Sequence, residues 1–401
     1  MKTHKNLFQE VCEFENLYNA YLKAKKGKND IAEVLEFTYN LENELLKLQY
    51  ELRNQTYKTG KYGHFIIFEP KERKISALPF RDRVVHHAIC SVIELIFEKK
   101  FIYDSYACRK GKGTHVGVDR VQKFIKRVNS NYYVLKCDVS KYFPSVNHEI
   151  LKQIIREKIA DKKLLQLLDK IVDSSEEQNV QSSLQKGIPI GNLTSQLFAN
   201  IYLTKLDEYV KYELKIKYYI RYMDDFLIIK KSKEELNEDK EKIRAFLFSM
   251  RLTLHPKKAN VSPVALGVDF LGYRIFNNHR LVRKSTVKRF LKNVKGKLKK
   301  YDYSSVNFNI SEMQNISEHK KILSGEFFVP ENQRFSWNAK SELISYDLTL
   351  NNEVLISKPD QKSLVFDKLM ESFNSWEAYM SHGNSYNLKK SLHERYFKNV
   401  M

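Results

Sequence analysis

The sequence of 401 residues predicts an α+β fold in which helices cover one face of a sheet. Three observations support this class. Short apolar segments with strand spacing occur among longer segments with helical spacing. Two of the predicted strand segments meet acidic residues at their ends, and one pair of strands is separated only by a tight turn. Together they predict the order strand, helix, helix, strand, turn, strand, helix, strand.

The first half of the chain supplies the opening helices and the first strands. Helical patterning extends through Leu52, and β-rich segments follow at Tyr62–Phe68 and Lys74–Leu78. Residues 81–100 place their apolar side chains on one side of a helix. Tyr132–Asp138 then has the composition of a strand and ends in an acid.

The second half alternates long helices with the predicted hairpin. Thr194–Glu213 and Ser232–Met250 have helical patterning, and the second of these begins with the serine and glutamate spacing of a capping box. Between them, the apolar runs Tyr218–Ile220 and Phe226–Ile229 flank the tetrapeptide Tyr222–Asp225. This arrangement predicts two adjacent carboxylates at the tip of a β-hairpin.

The chain carries a formal net charge of +21. A lysine-rich composition inherited from an AT-rich genome would explain part of this charge, and a polyanionic partner would explain it as well. Clustering favours the partner, because a segment with apolar residues at helical spacing contains ten cationic side chains and no acid. These are Arg280, Arg283, Lys284, Lys288, Arg289, Lys292, Lys295, Lys297, Lys299 and Lys300.

Composition also narrows the location and the number of domains. The four cysteines, Cys12, Cys90, Cys108 and Cys137, are widely separated, which favours reduced intracellular thiols over disulfides or a zinc site. No run approaches the roughly 18 apolar residues of a membrane span, and the N-terminus lacks the apolar region of a signal peptide. We therefore expect a cytoplasmic protein without membrane association, and 401 residues allow either two or three domains or one large multi-lobed enzyme.

The adjacent acids Asp224 and Asp225 carry the chemical prediction. Two neighbouring carboxylates repel each other, and a divalent metal is the expected compensating charge. Asp138 ends another strand; alone, it could simply cap the turn that follows. If its strand lies beside the hairpin, three carboxylates converge, as phosphoryl transfer by two Mg²⁺ ions about 4 Å apart requires.

These acids belong to a longer series of motifs. The motifs occur in the order of the characteristic blocks of reverse transcriptases, and the chain therefore resembles that family from about Lys71 to Lys300. The blocks are Lys71–Ile75 with Arg81–Val85, Tyr106–His115, Asp138 with Phe143, Gly187–Gln196, Tyr222–Asp225, His255–Lys258 and Phe270–Tyr273.

The resemblance implies a right-hand polymerase with fingers, a palm built on an antiparallel sheet, and a helical thumb. It assigns residues 1–115 to the fingers and 116–278 to the palm, with further fingers elements near 150–185. Residues 279–401 would form the thumb, which changes composition at about 302–360. We interpret that stretch as an insertion, and it is where we expect a protein or RNA contact if it is more than a structural elaboration.

The resemblance also implies the metal ligands and the choice of nucleotide. Asp138, Asp224 and Asp225 would be catalytic and would hold two Mg²⁺ ions, with Asp225 the most dispensable of the three. Phe143 falls where the family places a steric gate against a ribose 2′-hydroxyl, which implies dNTP substrates. A packed palm aromatic is an alternative interpretation of the same residue.

Further residues are assigned to the nucleotide and the primer in the same way. Lys71 and Arg73 would contact the incoming triphosphate, and Tyr222 lies in the block that surrounds it. Lys258 would protonate the leaving pyrophosphate, although Lys257 is an equally available neighbour. The segment Phe270–Tyr273 would be the primer grip, and the basic helix at 284–300 would track the duplex.

One block departs from the pattern of most reverse transcriptases. Where most members have Gln-Gly and Ser-Pro, this chain has Ile190-Gly191 and Ser195-Gln196. This version resembles the enzymes of diversity-generating retroelements, which copy a template RNA with frequent errors opposite adenine. Since Ile190 removes polar contacts near the nascent base pair, lower fidelity is a reasonable hypothesis.

Several biological roles stay open at this point. The palm motifs suit a mutagenic retroelement enzyme and equally an antiphage-defence reverse transcriptase that uses a structured noncoding RNA; a group II intron maturase or a retron enzyme fits less well. A noncatalytic RNA-binding protein on a polymerase scaffold, and template-independent or protein-primed synthesis, are further alternatives. The expected partners are an RNA template, nascent DNA and dNTPs, with an accessory protein or a second copy of the chain as candidates.

Overall fold

The structure is a computed structural model that describes residues 3–68, 71–128, 131–174 and 186–290, together with residue 292 and six residues between 375 and 383. The chain divides into two compact units, Met1–His279 and Arg280–Met401. The predicted insertion at 302–360 lies outside the described residues.

The first unit opens with helices α1 (Leu7–Cys12), α2 (Phe14–Lys25), α3 (Ala32–Tyr39) and α4 (Leu41–Arg53). A hairpin of β1 (Gly63–Phe68) and β2 (Glu72–Ala77) follows, and then the long helix α5 (Phe80–Glu98). The apolar stripe of α5 packs on α2, and both helices bury Leu17, Tyr21 and Ile89 in one core. Burial of such a stripe is the main source of stability for helices of this length.

A four-stranded sheet forms the centre of the unit. Its strands are β3 (Tyr133–Asp138), β4 (Tyr218–Tyr222), β5 (Asp225–Lys230) and β6 (Asn260–Pro263). They lie in the order β4-β5-β3-β6, and every pair is antiparallel. In β5 the four residues between the ends are all buried, which explains its continuous apolar run.

Six helices surround this sheet: α6 (Thr114–Arg127), α7 (Tyr142–Ser145), α8 (His148–Arg156), α9 (Lys162–Asp173), α10 (Leu193–Glu208) and α11 (Lys233–Ser249). Side-chain caps fix the starts of three of them. Asn147, Asp161 and Ser232 each accept a hydrogen bond from the backbone N–H three residues later, at 3.0–3.1 Å.

A smaller hairpin, β7 (Val268–Phe270) and β8 (Tyr273–Ile275), closes the first unit. In the second unit, β9 spans Arg280–Val282, residues 284–290 are helical, and the rings of Phe290 and Trp376 stack with centroids 3.9 Å apart. No helix in the described part of the chain is long and apolar enough to cross a membrane.

The predicted α+β class with an antiparallel sheet is confirmed. The helices and strands predicted from Tyr62 to Met250 occur with shifts of only a few residues at their ends. Most of the basic helix predicted at 284–300 lies outside the described residues. One difference lies at the helix predicted over 194–213, whose last turn, Tyr209–Glu213, is a π-helix in which the Leu214 N–H donates to the Tyr209 carbonyl. The assignment to fingers, palm and thumb stays a prediction.

Candidate active site

A two-residue turn places the adjacent acids at the end of the sheet. Tyr222 and Asp225 face each other across β4 and β5, so Met223 and Asp224 form the turn. Met223 has a φ of 54°, in the left-handed region that such turns require and that glycine or asparagine usually occupies. The Asp224 carbonyl accepts a 3.1 Å hydrogen bond from the Val139 N–H, which fixes the turn against the end of β3.

The three predicted carboxylates lie at the same end of the sheet. Asp138 is the direct partner of Asp225 in the antiparallel register of β3 and β5, so their side chains leave the same face of the sheet. Lys258 Nζ lies 2.6 Å from Asp138 Oδ2, and Lys136 Nζ lies 3.5 Å from Asp225 Oδ2. Two lysines therefore balance part of the negative charge.

Burial and nearby negative charge make Asp224 and Asp225 hard to ionise. Burial, together with the charges of Asp138 and Asp224, raises the pKa of Asp225 to about 6 against the lowering effect of Lys136. Burial also raises the pKa of Asp224, with Asp138 acting in the same direction and Lys258 and Arg73 opposing it. A site that is short of positive charge in this way favours the binding of cations.

The donor set fits a hard divalent cation. Carboxylate oxygens are the ligands that Mg²⁺ prefers, and Asp225 Oδ1 is buried without a hydrogen-bond partner. Among the described residues, no three His, Cys, Asp or Glu side chains are already gathered for one ion. The lysines contact one oxygen of each carboxylate, Oδ2 of Asp138 and Oδ2 of Asp225.

The structure distinguishes the two neighbouring lysines of the His255–Lys258 block. The His255 N–H donates to the Asp138 carbonyl at 2.8 Å, which holds this block beside β3. Lys258 then reaches the Asp138 carboxylate, whereas Lys257 is exposed and its backbone N–H lies 3.2 Å from His255 Nδ1. Of these two neighbouring lysines, Lys258 is therefore the one that contacts the acids.

The structure also distinguishes the two residues that were predicted to contact the triphosphate, Arg73 and Lys71. Arg73, on β2, is exposed, and its charge lowers the pKa of Asp224, so it belongs to the electrostatic surroundings of the acids. Lys71 is exposed just before β2, and its side chain has no hydrogen bond or ion pair within the described part of the chain. The half-buried Tyr222 accepts a hydrogen bond from Thr114 Oγ1 at 3.4 Å.

Phe143 lies five residues beyond Asp138, on the short helix α7. It is half-buried, with its ring centroid 5.7 Å from that of Tyr142 at an interplanar angle of 72°. Its carbonyl accepts a hydrogen bond from the Ile188 N–H at 3.0 Å, which links α7 to the Gly187–Gln196 block. The geometry is compatible with a packed aromatic and with a steric gate.

The divergent block contacts the β1–β2 hairpin. The Ile190 carbonyl accepts a 3.0 Å hydrogen bond from the Ser76 N–H. Gly191 has a φ of +121°, and a Cβ there would lie 2.9 Å from Ile75 Cγ2 and 3.3 Å from the Ser76 carbonyl oxygen, so glycine is required. Gln196 is half-buried in the first turn of α10 and has no described contact with the acids.

The predicted primer grip is the turn between β7 and β8. Leu271 and Gly272 have φ values of 46° and 88°, as a two-residue hairpin turn with two left-handed positions requires. Lys136, which faces Asp225, also donates a hydrogen bond to the Asp269 carbonyl at 3.1 Å. One lysine thus connects this hairpin to the acids.

Sequence reasoning missed a buried ion pair next to the turn that carries Asp224. Arg221 and Asp207 are both fully buried, with Nε–Oδ1 and Nη2–Oδ2 distances of 2.7 and 2.5 Å. The remaining guanidinium nitrogen donates to the Met223 carbonyl at 3.1 Å and to Asn200 Oδ1 at 3.3 Å. An arginine within the apolar strand Tyr218–Tyr222 was the available signal, because a charge in such a strand needs a buried partner.

Comparison with known proteins places the site in a family. The family model described as "Reverse transcriptase (RNA-dependent DNA polymerase)" matches residues 60–275, more than half of the chain. The matched region contains Asp138, the turn acids and Lys258.

Individual relatives have low sequence identity to this chain. Protein YkfC of Escherichia coli (strain K12) is 27% identical over 250 residues, which cover 53% of this chain and 64% of that protein. Group II intron-encoded protein LtrA of Lactococcus lactis subsp. cremoris is 25% identical over 357 residues, covering 72% of this chain and 56% of LtrA. The chain thus spans less than two thirds of the length of both relatives. A solved structure of apo telomerase from Candida Tropicalis, truncated from its C-terminal domain, matches with a TM-score of 0.44 and 15% identity over 56% of this chain and 55% of that chain.

Proposed function

Because the chain belongs to the reverse transcriptase family, we propose that it is an RNA-directed DNA polymerase that extends a primer with dNTPs along an RNA template. One observation supports this proposal most strongly. Asp138 and Asp225 face each other on neighbouring strands, Asp224 occupies the turn beside them, and Lys258 reaches Asp138.

The acids form the proposed catalytic centre. Asp138, Asp224 and Asp225 would hold two Mg²⁺ ions, which when bound activate the primer 3′-hydroxyl and neutralise charge on the triphosphate. The sheet register holds the carboxylates in place before substrate arrives, so little reorganisation is needed.

Cationic side chains around the acids serve the triphosphate. Lys258 is placed to donate a proton to the leaving pyrophosphate, since its ammonium group already lies at the acids. Arg73, with Lys71 just before the same strand, would orient the phosphates from the β1–β2 hairpin. Phe143 would exclude a ribose 2′-hydroxyl from the site. Tyr222 would support the nucleotide.

Primer extension on an RNA template tests the proposal. The wild-type protein should incorporate dNTPs in Mg²⁺, and Asp224→Asn should abolish incorporation while RNA binding stays close to wild type. That result would also argue against a noncatalytic RNA-binding role. Wild-type protein that binds template and primer but incorporates no dNTP, with Mg²⁺ or Mn²⁺, would refute polymerase activity.

A finer proposal concerns the accuracy of copying. Ile190 and Gly191, with Gln196 on the next helix, would lie against the nascent base pair, and Ile190 offers an apolar side chain where a polar contact would check pairing geometry. This supports a mutagenic enzyme of a diversity-generating retroelement. Counting errors opposite each template base tests it, because frequent changes opposite adenine are expected and uniform accuracy would contradict it.

The RNA that the protein carries in cells would separate the remaining roles. A single structured RNA with DNA copies rich in changes at template adenines supports the mutagenic role. Faithful, repetitive or untemplated DNA made from a small noncoding RNA supports antiphage defence, which is the alternative proposal. Recovery of intron RNA would favour the role given in the name of LtrA.

A further inference from the structure

A surface outside the candidate active site combines cations and aromatic rings. It follows α6 and the start of β4, and we name it the α6 strip. Its defining residues are Tyr103, Lys112, Arg120, Lys217 and Tyr218, which are connected through the buried ring of Phe124. All of them belong to the first unit.

The contacts within the strip begin at an exposed tyrosine. Lys112 Nζ lies 3.6 Å from the centroid of the Tyr103 ring and donates a hydrogen bond to the Tyr103 carbonyl at 2.9 Å. Arg120 Cζ lies 5.1 Å from the same ring and 4.7 Å from the ring of Phe124. Two cations therefore meet at a ring that is 68% exposed.

The same pattern continues onto the sheet. The ring centroids of Phe124 and Tyr218 are 5.3 Å apart, and Lys217 Nζ lies 5.4 Å from the Tyr218 ring. Helix α6 packs on β4, so these contacts join the helix to the edge strand. Cations thus lie beside the rings of Tyr103 and Tyr218, and the buried ring of Phe124 connects the two ends of the strip.

Positive charge on this surface exceeds the acids available to balance it. Residues 109–127 contain seven lysines and arginines, of which Arg109 has a buried side chain paired with Glu98, and only Asp119 as an acid. Residues 211–217 contain three lysines and only Glu213. Asp104 is paired with Arg120, whose guanidinium group donates hydrogen bonds to both carboxylate oxygens at 2.7 and 3.1 Å. Among the described residues, no acid forms an ion pair with Lys112 or Lys217.

The strip extends away from the acids. Helix α6 begins beside the site, where Thr114 contacts Tyr222. Lys217 and Tyr218 lie at the opposite end of β4, about 13 Å from Tyr222 along the strand. A ligand on the strip can therefore be held while a template and primer occupy the acids.

From these observations we propose that the α6 strip binds a single-stranded segment of RNA while the catalytic site is engaged. Unbalanced lysines fit a phosphate backbone, and an exposed tyrosine offers a stacking platform that only unpaired bases can use. This inference rests on the proposed function, since it takes the ligand to be part of the RNA that the enzyme copies. It assigns to the strip a task separate from nucleotide transfer.

The test compares two double variants of the full chain. The strip variant carries Tyr103→Ala and Lys217→Glu, and the control carries Tyr50→Ala and Lys47→Glu on α4, where Tyr50 is also 68% exposed. The probe is a fluorescein-labelled 20-nucleotide oligo(U) RNA, measured by anisotropy at several salt concentrations. A mixed-sequence RNA–DNA template–primer hairpin is present at saturation, and melting curves confirm that both variants are folded.

The strip variant should bind oligo(U) about 10-fold more weakly than the control, because one stacking platform is removed. Its affinity should also fall less steeply with salt, by about 0.7 in the log–log slope, because the side chain at position 217 no longer neutralises a phosphate. Primer extension on the hairpin should remain at the wild-type rate.

Equal oligo(U) affinity of the two variants would overturn the inference. Weaker binding of the template–primer hairpin, with oligo(U) binding unchanged, would also overturn it, because the strip would then contact the duplex. Failure of the wild type to extend the hairpin would instead refute the proposed polymerase function, and the comparison of oligo(U) affinities would still decide whether the strip binds RNA.

Discussion

Replacement of Arg221 by methionine should destabilise the protein and impair catalysis through different contacts. The guanidinium group makes two hydrogen bonds to Asp207 and a third to the Met223 carbonyl, immediately before Asp224. Arg221→Met leaves the buried Asp207 carboxylate with the hydroxyl of Tyr219, at 2.7 Å, as its remaining side-chain donor. It also removes the hydrogen bond to the Met223 carbonyl, and Met223 is the turn residue in the left-handed conformation.

The magnitude follows from burial. Removal of one partner from a fully buried ion pair costs about 3–5 kcal/mol, because an uncompensated charge remains in the interior. The exposed pair of Arg244 and Glu241 on α11, at 3.0 Å, provides the matched control. Arg244→Met should cost less than about 1 kcal/mol, since water and salt screen such pairs.

Urea denaturation and primer extension should be measured on the same preparations. The double variant Arg221→Met/Asp207→Leu removes both charges, so we expect it to recover much of the stability of the wild type. Its extension rate should stay low, because the hydrogen bond to the Met223 carbonyl is still absent. A decrease in stability for Arg221→Met no larger than that for Arg244→Met would refute this reasoning, as would a double variant with wild-type activity.

Three further predictions concern the site itself. Gly191→Ala should lower the free energy of unfolding by about 2 kcal/mol more than Gly113→Ala in urea denaturation, because both glycines have a φ of +121° but only a Cβ at 191 meets other atoms; equal decreases would contradict the steric argument. Lys258→Ala should reduce the rate of a single dNTP addition about 100-fold, while Lys257→Ala stays near wild type; a larger defect for Lys257→Ala would reverse the assignment. Without metal, the pKa of Asp225 is raised from an ordinary 3.8 to about 6, so the folded protein binds the carboxyl proton more tightly than the unfolded chain does. The free energy of unfolding therefore falls as the pH rises from about 4 to about 6. Asp225→Asn should therefore stabilise the protein by up to about 3 kcal/mol at pH 8 and by much less at pH 4 in EDTA, and equal effects at the two pH values would contradict the shift.

The convergence of the acids could be predicted from sequence because local rules determine most of it. A two-residue turn between apolar runs produces a hairpin, and that hairpin fixes the positions of Asp224 and Asp225. The position of Asp138 depended on strand order, which the residues alone did not give. The family resemblance supplied it, and the structure places β3 beside β5.

Tertiary contacts account for what the sequence could not provide. Lys257 and Lys258 are equivalent by type and spacing, and only the path of the chain after His255 directs Lys258 to Asp138. The pairing of Arg221 with Asp207 joins a strand to a helix that precedes it, so no local pattern identifies the partner. The α6 strip likewise brings together three separate segments of the chain.

Single-turnover incorporation of one dNTP on an RNA template tests the central claim most directly. Wild type and Asp138→Asn should be compared at saturating template–primer, with RNA affinity measured on the same preparations. The account predicts wild-type RNA affinity and no detectable incorporation in the variant, since Asp138 faces Asp225 and receives Lys258. Incorporation by Asp138→Asn at the wild-type rate would contradict the assignment of this site as the catalytic centre.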